Sequence, residues 1–600
     1  MCGLAGIAVW DTTGEAETPG VKRMLDAMAH RGPDGSGLFS AEHVCMGTVR
    51  LAIVDPEGSD QPLSASGADV HLVFNGEIYN YRELRERLER RGHTFKTGGD
   101  GEVILAAYLE DPEHFAARLD GMFAFALWDG RRRRLLLGRD RCGIKPLYYW
   151  ADRERVVFAS EAKALLTDPA VPLAVNRDAI ADYIAVRFPL PPGCAFDGVR
   201  KVAPGTLLEF GPGARSGRER PFHVLDVRGA PGPATATTLA EALRGAVETT
   251  GQPGPRLGLL LSGGLDSTTL TALGAGTAAA VDAYSVGYEN ATWQDETGYA
   301  REVARHVGAE HKVTVLGTAD LLTCFLDTLW HLEEPIYTPV CLSTFAVTGL
   351  AARDYKSVLA GDGSDELLLG YAHMHRAQQE AALGRPWQQL YWDALGWLSP
   401  DDRKVLLDED MAGRCEPAAA QSRAGFTDAV AGGTAPADAI REFETVKKLP
   451  EYHLLRVDRL SMAHSLEVRV PFLRNDVVAW ALSHSAGDLM RGEPKQPLRD
   501  LARHMVPRHI VDRPKQKFSA PAASWLAGPL RPLALDLLHD GAGAEELGLS
   551  RTGLRRLATA FHDDPATTPD ITWGVVLLLG WYRFVFERLG RTRAERQTDR

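Results

Sequence analysis

The chain has 600 residues, 45% hydrophobic and 24% charged, and its 67 basic and 79 acidic residues give a formal net charge of −12. This length is too great for a single hydrophobic core and predicts two domains. The acidic balance argues against bulk electrostatic binding to nucleic acid or an anionic membrane, and no apolar run approaches the roughly 20 residues of a membrane helix.

The N-terminus reads MCGLAGIAVW and lacks the basic and then apolar order of a secretion signal. The seven cysteines are scattered, odd in number and without CxxC spacing. We therefore expect a reduced, cytoplasmic chain with no zinc site and no disulfide framework. In that setting Cys2 is either an ordinary thiol or a catalytic nucleophile, and its position alone favours the ordinary thiol.

Short strand-like runs fill residues 1–205, among them GLAGIAVW, HLVFNGEIYN, GMFAFALWD and RLLLGRD. Turn-forming Gly, Asp and Asn separate these runs, and a helical stretch, YRELRERLERRG, interrupts them. The pattern predicts an α+β domain with stacked antiparallel sheets. Residues 206–238, dense in Gly, Pro and polar residues, predict a linker.

Helices alternate with short apolar strands from residue 239, as in RLGLLLSGG, VDAYSVGY and YKSVLAGDG. This alternation predicts a second, α/β domain over 239–585, with a parallel sheet and helices on both faces. The charged tail 586–600 is typical of a disordered segment.

The motif SGGLDS lies between an apolar run at 258–261 and a helix-like stretch. Glycines let backbone N–H groups crowd an anion, and the helix N-terminus adds partial positive charge. Asp266 would repel phosphate, so it fits a ligand for Mg²⁺ that itself sits on phosphate. Two glycines alone would favour a plain strand–turn–helix connection, whereas the full motif favours a phosphate site.

A second acidic group, VLAGDGSDELLLGY, follows another short strand and holds Asp362, Asp365 and Glu366. Ligands of parallel sheets bind at the carboxyl ends of the strands. These carboxylates are either a solvated turn or, beside the first loop, a metal-binding and basic group. The pairing of the two loops favours the second interpretation.

SGGLDS with a downstream GDGSDE resembles the ATP pyrophosphatase family, which cleaves ATP between the α- and β-phosphates. DRLSMAHSLEVRVPFL (458–473) and PKQPLRDL (494–501) further resemble the synthetase domain of glutamine-hydrolysing asparagine synthetases. Individually, the basic residues of these stretches would be read as surface charges or ion pairs. By resemblance, Lys495 contacts the phosphates and stabilises the departing pyrophosphate.

The motifs MCG, HRGPD, RLAIVD, NGEIYN and GGDGEVI match class II glutamine amidotransferases in order and spacing. With Met1 removed, Cys2 would carry a free α-amine able to take the thiol proton. Arg50 can hold the carboxylate of glutamine and Asp100 its ammonium group. Asn75 and the N–H of Gly76 can stabilise a tetrahedral oxyanion.

The resemblance implies a complete set of site residues, with Mg²⁺ and ATP as cofactors, glutamine and a carboxylate as substrates, and a homodimer. The catalytic residues are Cys2, Asn75, Gly76, Asp362 and Lys495; glutamine is bound by Arg50, Leu51, Ile53, Asn75, Gly76, Glu77 and Asp100; ATP is bound by Leu260, Ser262, Gly263, Gly264, Asp266, Ser267, Val286, Ala360, Gly361 and Lys495; and the metal is bound by Asp266 and Asp365.

The acceptor carboxylate is less well specified, because EEPIYTPVCLSTFAVTGL (333–350) and ELLLGY fit the family only in part. Aspartate is the favoured acceptor, and a carboxylate of specialised metabolism is the alternative. The related β-lactam synthetases close a ring and lack a functional N-terminal cysteine, so a cyclase ranks below an amide ligase. An inactive sensor ranks last, because every expected reactive position is filled.

Overall fold

The computed structural model describes residues 2–10, 18–212, 216–227, 238–251, 255–289, 293–514 and 519–598. The strands are β1 Cys2–Val9, β2 Gly35–Ala41, β3 Val44–Arg50, β4 Leu63–Ser64, β5 Val70–Ile78, β6 Gly121–Asp129, β7 Arg134–Arg139, β8 Tyr148–Ala151, β9 Arg155–Ala159, β10 Arg200–Lys201, β11 Thr206–Phe210, β12 Arg218–Pro221, β13 Arg256–Leu260, β14 Ala280–Tyr288, β15 Glu310–Leu316, β16 Ser357–Leu359 and β17 Glu467–Arg469.

The α-helices are α1 Thr18–Asp26, α2 Tyr81–Glu89, α3 Glu102–Glu110, α4 Ala162–Leu165, α5 Arg177–Val186, α6 Leu239–Thr250, α7 Leu265–Thr277, α8 Thr297–Val307, α9 Leu321–Leu332, α10 Val340–Ala351, α11 Ser364–Leu367, α12 Ala372–Ala382, α13 Trp387–Leu395, α14 Pro400–Leu406, α15 Glu409–Arg414, α16 Pro417–Arg423, α17 Phe426–Ala431, α18 Pro436–Glu442, α19 Leu455–Met462, α20 Asn475–Leu482, α21 Ala486–Leu489, α22 Gln496–Ala502, α23 Arg508–Val511, α24 Ala522–Ala527, α25 Arg531–Asp540, α26 Arg551–Asp563, α27 Pro569–Trp581 and α28 Glu587–Thr598. A π-helix, Phe443–Leu454, joins α18 to α19.

Two antiparallel sheets form the N-terminal part of the chain. The first has the order β10-β8-β9-β1-β3-β2 and the second β12-β11-β7-β6-β5-β4. Apolar side chains from both sheets meet in one core, with Leu4 and Met46 of the first sheet against Val73 and Ala124 of the second. Strand β1 is central, and all eight of its residues are buried. The predicted α+β fold with stacked sheets is confirmed.

A parallel sheet with the order β15-β14-β13-β16-β17 organises the C-terminal part. Helix α6 packs on α7 and α20, whereas α10 packs on β14, β15 and α19. Because β13 and β16 are neighbours, the loops that follow them lie side by side at the carboxyl edge of the sheet. The predicted α/β class of this part is confirmed.

The two parts share a buried ionic interface. Glu161, after β9, lies 3.0 Å from Arg31, 2.6 Å from Lys163 and 3.0 Å from Arg459 of α19. Asp458 of α19 lies 2.9 Å from the guanidinium of Arg31. A buried charge is tolerated only with partners, so each part supplies counter-ions that the other needs.

Two segments differ from their expected structure. Strands β11 and β12 lie inside the range predicted as a linker, 206–238, and pair with β7 and with each other; 213–215 and 228–237 lie outside the described residues. The tail 586–600, predicted as disordered, is helical over Glu587–Thr598. Its charged side chains find partners, because Arg593 donates to the carbonyl of Val171 and Arg588 stacks on Trp330.

No helix within the described ranges is long and apolar enough to cross a membrane.

Candidate active sites

A small pocket opens beside the first residue of β1. Cys2, only 4% exposed, lines it together with Arg50 at the end of β3 and Gly76 in β5. The Cys2 nitrogen donates to Asn75 Oδ1 at 3.0 Å, and Gln61 Nε2 lies 3.7 Å from Cys2 Sγ. The chain terminus is therefore held in place as an interior strand rather than left to fray.

Asn75 and Gly76 occupy the strand opposite Cys2. The Nδ2 atom of Asn75 is buried and has no hydrogen-bond partner among the described residues, so it remains available as a donor. Gly76 has φ of +144°, and a Cβ there would lie 2.0 Å from the carbonyl oxygen of Met122. Only glycine fits this backbone. The pair can supply the side-chain and backbone donors expected of an oxyanion hole.

Three carboxyls line the same pocket, those of Glu77, Asp100 and Glu467. Asp100 accepts the N–H of Ile78 at 2.8 Å, and burial raises its pKa to about 6. Burial also raises the pKa of Glu77 to about 8, although Glu77 pairs with Arg469 of β17. Burial disfavours the ionised form, so a ligand ammonium group would restore the charge and be bound in return.

Arg50 supplies the cation of the pocket. Its guanidinium donates to the carbonyls of Asp55 and Pro56 at 2.9 Å and contacts Asp60 at 2.9 Å. The two main-chain carbonyls therefore fix the orientation of the Arg50 guanidinium. Asp60 is 89% exposed, so its hold on Arg50 is screened by water and can be exchanged for a ligand carboxylate.

The SGGLDS loop connects β13 to α7, as predicted. Gly263 has φ of +79°, where an added Cβ would lie 2.9 Å from the backbone nitrogen of Ala300. Ser267 Oγ accepts the N–H of Ser262 at 3.2 Å and so closes the loop onto the first turn of α7. The helix N-terminus thereby faces a cavity beside the loop after β16.

Lys495 joins the two acidic loops. Its Nζ lies 2.7 Å from both oxygens of Asp266 and 2.6 Å from Asp365. Burial would lower the pKa of Lys495, but the two carboxylates outweigh it and hold the pKa above its usual value. Two carboxylates that share one ammonium group are close enough to share a divalent cation.

Asp362, in the same loop as Asp365, lines the same cavity. Burial raises its pKa, while the Arg456 guanidinium, 3.2 Å away, opposes the shift. Arg456 belongs to α19, directly after the π-helix, a form that often marks functional sites. The arrangement holds a carboxyl near the loop where a proton could be accepted.

Most residues predicted from the sequence gather in two pockets. Of the residues predicted for the glutamine site, the smaller pocket is lined by Cys2, Arg50, Leu51, Ile53, Gly76, Glu77 and Asp100. Of the residues predicted for the nucleotide site and its reacting groups, the larger cavity is lined by Leu260, Ser262, Gly264, Asp266, Ser267, Val286, Ala360, Gly361, Asp362, Asp365 and Lys495. Asn75 and Gly263 lie behind these surfaces, Asn75 bonded to Cys2 and Gly263 accepting from Arg513 through its carbonyl.

Other lining residues were missed. Glu467 of β17 lines the pocket of Cys2, although it belongs to the C-terminal part. Arg187, after α5, lines the larger cavity from the N-terminal part. Glu467 lies in the stretch 458–473 that resembles the synthetase domain, but nothing in that stretch links it to the pocket of Cys2, and Arg187 lies outside every motif. Their roles depend on how the two parts pack.

The larger cavity has a volume of about 480 Å³. Its lining includes most of the SGGLDS loop together with Val286, Lys495, Leu395 and Tyr452. This size is ordinary for a small-molecule site, and a mixed polar and apolar lining is typical. Within the described residues, no group of three His, Cys, Asp or Glu side chains could hold a metal ion by itself.

Comparison with known proteins matches both parts. A family model described as a glutamine amidotransferase domain matches residues 1–222, and one described as asparagine synthase matches residues 238–583. Asparagine synthetase [glutamine-hydrolyzing] 1 of Bacillus subtilis (strain 168) is 28% identical over 98% of this chain and 97% of that protein. Asparagine synthetase [glutamine-hydrolyzing] 3 of the same strain is 30% identical over 80% of each.

A solved structure of glutamine phosphoribosylpyrophosphate (PRPP) amidotransferase from B. subtilis is 18% identical and covers 52% of this chain and 65% of its own. Its TM-score of 0.27 is too low to support an argument.

Proposed function

Since this chain belongs to the asparagine synthase family and is a glutamine-hydrolysing ligase, we propose that it activates a carboxylate with ATP and converts it to an amide with ammonia from glutamine. The observation that carries the proposal is the presence of two complementary sites in one molecule. One holds a terminal thiol beside oxyanion donors. The other holds a phosphate-type loop beside two carboxylates and a lysine.

Glutamine is cleaved at Cys2. The α-amine of the mature chain takes the thiol proton, and the thiolate attacks the side-chain amide carbon of glutamine. Asn75 Nδ2 and the Gly76 N–H stabilise the oxyanion that forms. The α-ammonium returns the thiol proton to the leaving nitrogen, the carbon–nitrogen bond breaks and ammonia leaves. Water then hydrolyses the thioester, which releases glutamate and restores the thiol. Arg50 and Asp100 hold the carboxylate and ammonium groups of glutamine during these steps.

The acceptor is activated in the larger cavity. A carboxylate oxygen attacks the α-phosphorus of ATP, the bond from that phosphorus to the bridging oxygen breaks, and pyrophosphate leaves. Lys495 stabilises the charge that develops on this leaving group. Ammonia, which we propose travels inside the protein, then attacks the acyl carbon. AMP departs, and Asp362 accepts the proton that nitrogen loses.

Asp266 and Asp365 fit Mg²⁺, because both reach one shared point and offer the hard oxygen donors that this ion prefers. When bound with ATP, the ion would neutralise charge on the phosphates. Lys495 would then exchange part of its contact with these carboxylates for contact with phosphate oxygens.

The test is Cys2→Ala. We expect glutamine-dependent amidation to fall to background while ammonia-dependent amidation stays within about twofold of wild type, with AMP and pyrophosphate formed in equal amounts. Cys45→Ala, at another buried cysteine, is the matched control. Glutamine hydrolysis by Cys2→Ala at the wild-type rate would disprove the nucleophile, and formation of ADP and phosphate would disprove acyl adenylation.

The names of the relatives favour aspartate as acceptor. A larger carboxylic acid is the second candidate, and the observation that favours it is the apolar share of the cavity lining, which includes Val186, Pro339, Ala394 and Leu395. The amide-forming chemistry is the same for both.

A further inference from the structure

Strand β17 belongs to the C-terminal part of the chain but borders the pocket of Cys2. Its first residue, Glu467, lines that pocket, and its last residue, Arg469, pairs with Glu77, which lines the pocket as well. Arg469 is buried, with 1% of its surface exposed. A buried guanidinium is costly unless its donors are satisfied, so its partners identify the groups that it holds in place.

The three nitrogens of the Arg469 guanidinium each meet a different residue. Nε donates to Glu467, Nη1 donates to the carbonyl of Thr250 at 2.8 Å, and Nη2 contacts Glu77. Thr250, at the end of α6, and Glu467 both belong to the C-terminal part. They fix the guanidinium from that side, and Glu77 is the residue that it holds across the boundary.

Arg469 is also the cation that two buried carboxyls share. Burial would raise the pKa of Glu467, but Arg469 and other cations outweigh it and hold the pKa below its usual value. Burial raises the pKa of Glu77 to about 8 although Arg469 opposes the shift. Without this cation, the two carboxyls would face each other and repel when ionised.

The segment of β5 that contains Gly76 has a free outer edge. In the described part of the chain, β4 pairs with β5 at two earlier residues only, so 74–78 pair with β6 alone. Side-chain oxygens accept the N–H groups of Phe74 and Ile78 at 2.7 and 2.8 Å. Donors alternate along an antiparallel strand, so the N–H of Gly76 lies between these two and faces the pocket.

Gly76 has no side chain of its own to hold this N–H in position. Its neighbours are held instead, because Asn75 accepts the N–H of Cys2 at 3.0 Å and Glu77 pairs with Arg469. A misplacement of about 1 Å caused by a change outside the reacting centre can cost about 10²-fold in rate. The contact between Arg469 and Glu77 therefore bears directly on the geometry of the oxyanion donor.

Other ion pairs across the same boundary serve neither pocket. Arg139 lies 3.1 Å from Glu451, Lys145 lies 3.3 Å from Asp458, and none of these four described residues lines either pocket. The packing of the two parts explains these pairs. Arg469 differs from them, because both of its carboxyl partners line the pocket of Cys2.

The main chain of Arg469 supports the other site. Its carbonyl accepts the N–H of Ala360 at 2.9 Å, and Ala360 lines the larger cavity. This carbonyl is present whichever side chain follows it, so a substitution of the Arg469 side chain should leave the nucleotide loop in place.

We propose that Arg469 is a positioning residue for the cleavage of glutamine, although it belongs to the part of the chain that activates the acceptor. Its side chain holds Glu77, and through Glu77 it holds the Gly76 N–H where the oxyanion forms. The glutamine site is thus complete only when β17 is packed against it. The inference rests on the proposed function for the cleavage of glutamine at Cys2.

Arg469→Lys in the full-length protein tests this role. Lysine keeps the charge but lacks the planar fork that contacts three acceptors. We expect kcat for glutamine hydrolysis, measured as glutamate formation, to fall about tenfold or more while KM stays within about threefold, because Arg50 and Asp100 still bind the substrate. Ammonia-dependent pyrophosphate release with Mg-ATP and aspartate should stay within about twofold of wild type.

Arg474→Lys is the matched control. Arg474 is another arginine of the C-terminal part, it lies 2.9 Å from Asp120 of the N-terminal part, and neither described residue lines a pocket. This variant should keep the wild-type kcat. A charge-balanced double variant, Arg469→Met with Glu467→Gln, covers the case in which thermal melting shows that Arg469→Lys does not fold, and it should lose kcat in the same way.

A double-mutant cycle tests the route through Glu77. If Arg469 acts through Glu77, Arg469→Lys combined with Glu77→Gln should be no slower than the slower of the two single variants. Wild-type kcat in the Arg469 variants, an equal loss in Arg474→Lys, or losses that multiply in the cycle would overturn the inference. Unchanged glutamate formation in Cys2→Ala would instead contradict the proposed function.

Discussion

The two pockets differ in how their charged groups are satisfied. Beside Cys2 the cavity is small, about 40 Å³, and the buried carboxyl of Asp100 is held by a backbone N–H. In the larger cavity, the functional charges neutralise one another, as Lys495 does with Asp266 and Asp365. To bind a ligand carboxylate, the first pocket exchanges the exposed contact between Arg50 and Asp60. The second must exchange internal ion pairs for contacts with phosphate and metal.

Lys495→Met should cause the largest loss of activity, and the loss should be confined to the reaction in the larger cavity. Asp266 and Asp365 would lose their shared cation and the leaving pyrophosphate its stabilising charge, so amidation with either nitrogen source should fall by about 10³-fold or more. Glutamine hydrolysis should change less than about twofold. Pyrophosphate release measures the activation of the acceptor, and glutamate formation measures glutamine hydrolysis.

Lys404→Met, on the exposed face of α14, is the control for that change. Retention of more than a tenth of the wild-type pyrophosphate rate in Lys495→Met would show that another cation does this work.

Asn75→Ala should lower glutamine hydrolysis in the first pocket and leave the reaction in the second unchanged. Removing one oxyanion donor lowers kcat by roughly 10²–10³-fold, so glutamine hydrolysis should fall by that factor with little change in KM. Ammonia-dependent amidation should stay at the wild-type rate. Asn80→Ala, just beyond β5, is the control. A rise in KM without a fall in kcat would show that Asn75 binds glutamine rather than the oxyanion.

The pKa of Asp100, raised by burial to about 6, gives the smaller, pH-dependent test. Below that value the carboxyl is neutral and binds the glutamine ammonium group poorly, so kcat/KM for glutamine should fall about tenfold per pH unit. Asp100→Asn should have a low value at every pH and lose this segment of the profile. An unchanged profile in Asp100→Asn would contradict the assignment.

The same shift has a consequence for stability. Because the folded pKa of Asp100 lies above its ordinary value of 3.8, ionisation on raising the pH through this window opposes folding. Asp100→Asn should therefore raise Tm at pH 7 relative to wild type and have less effect at pH 4. Asp428→Asn, at an exposed position of α17, should leave Tm unchanged at both values.

Local sequence signals predicted the sheets and the loops well. SGGLDS lies between a strand and a helix because that motif keeps its local geometry. Cys2, Arg50, Gly76 and Asp100 come from distant segments and line one pocket, and only the resemblance of their motifs to a known family grouped them. Local sequence signals could not predict contacts between segments that are distant in the chain. Glu467 and Arg187 enter pockets built largely by the other part of the chain. The tail was read as disordered from its charge, whereas Arg588 stacks on Trp330.

The charges buried around Glu161 bear on how far this protein is modular. Arg31 and Lys163 of one half and Arg459 of the other share that single carboxylate. If either half were made alone, several of these charges would be exposed or would lose their partners. A buried ion without its partner is strongly destabilising. An engineer who exchanges the glutaminase half with that of a relative must therefore transplant both sides of this charge network, because the boundary between the halves is itself part of the folded core.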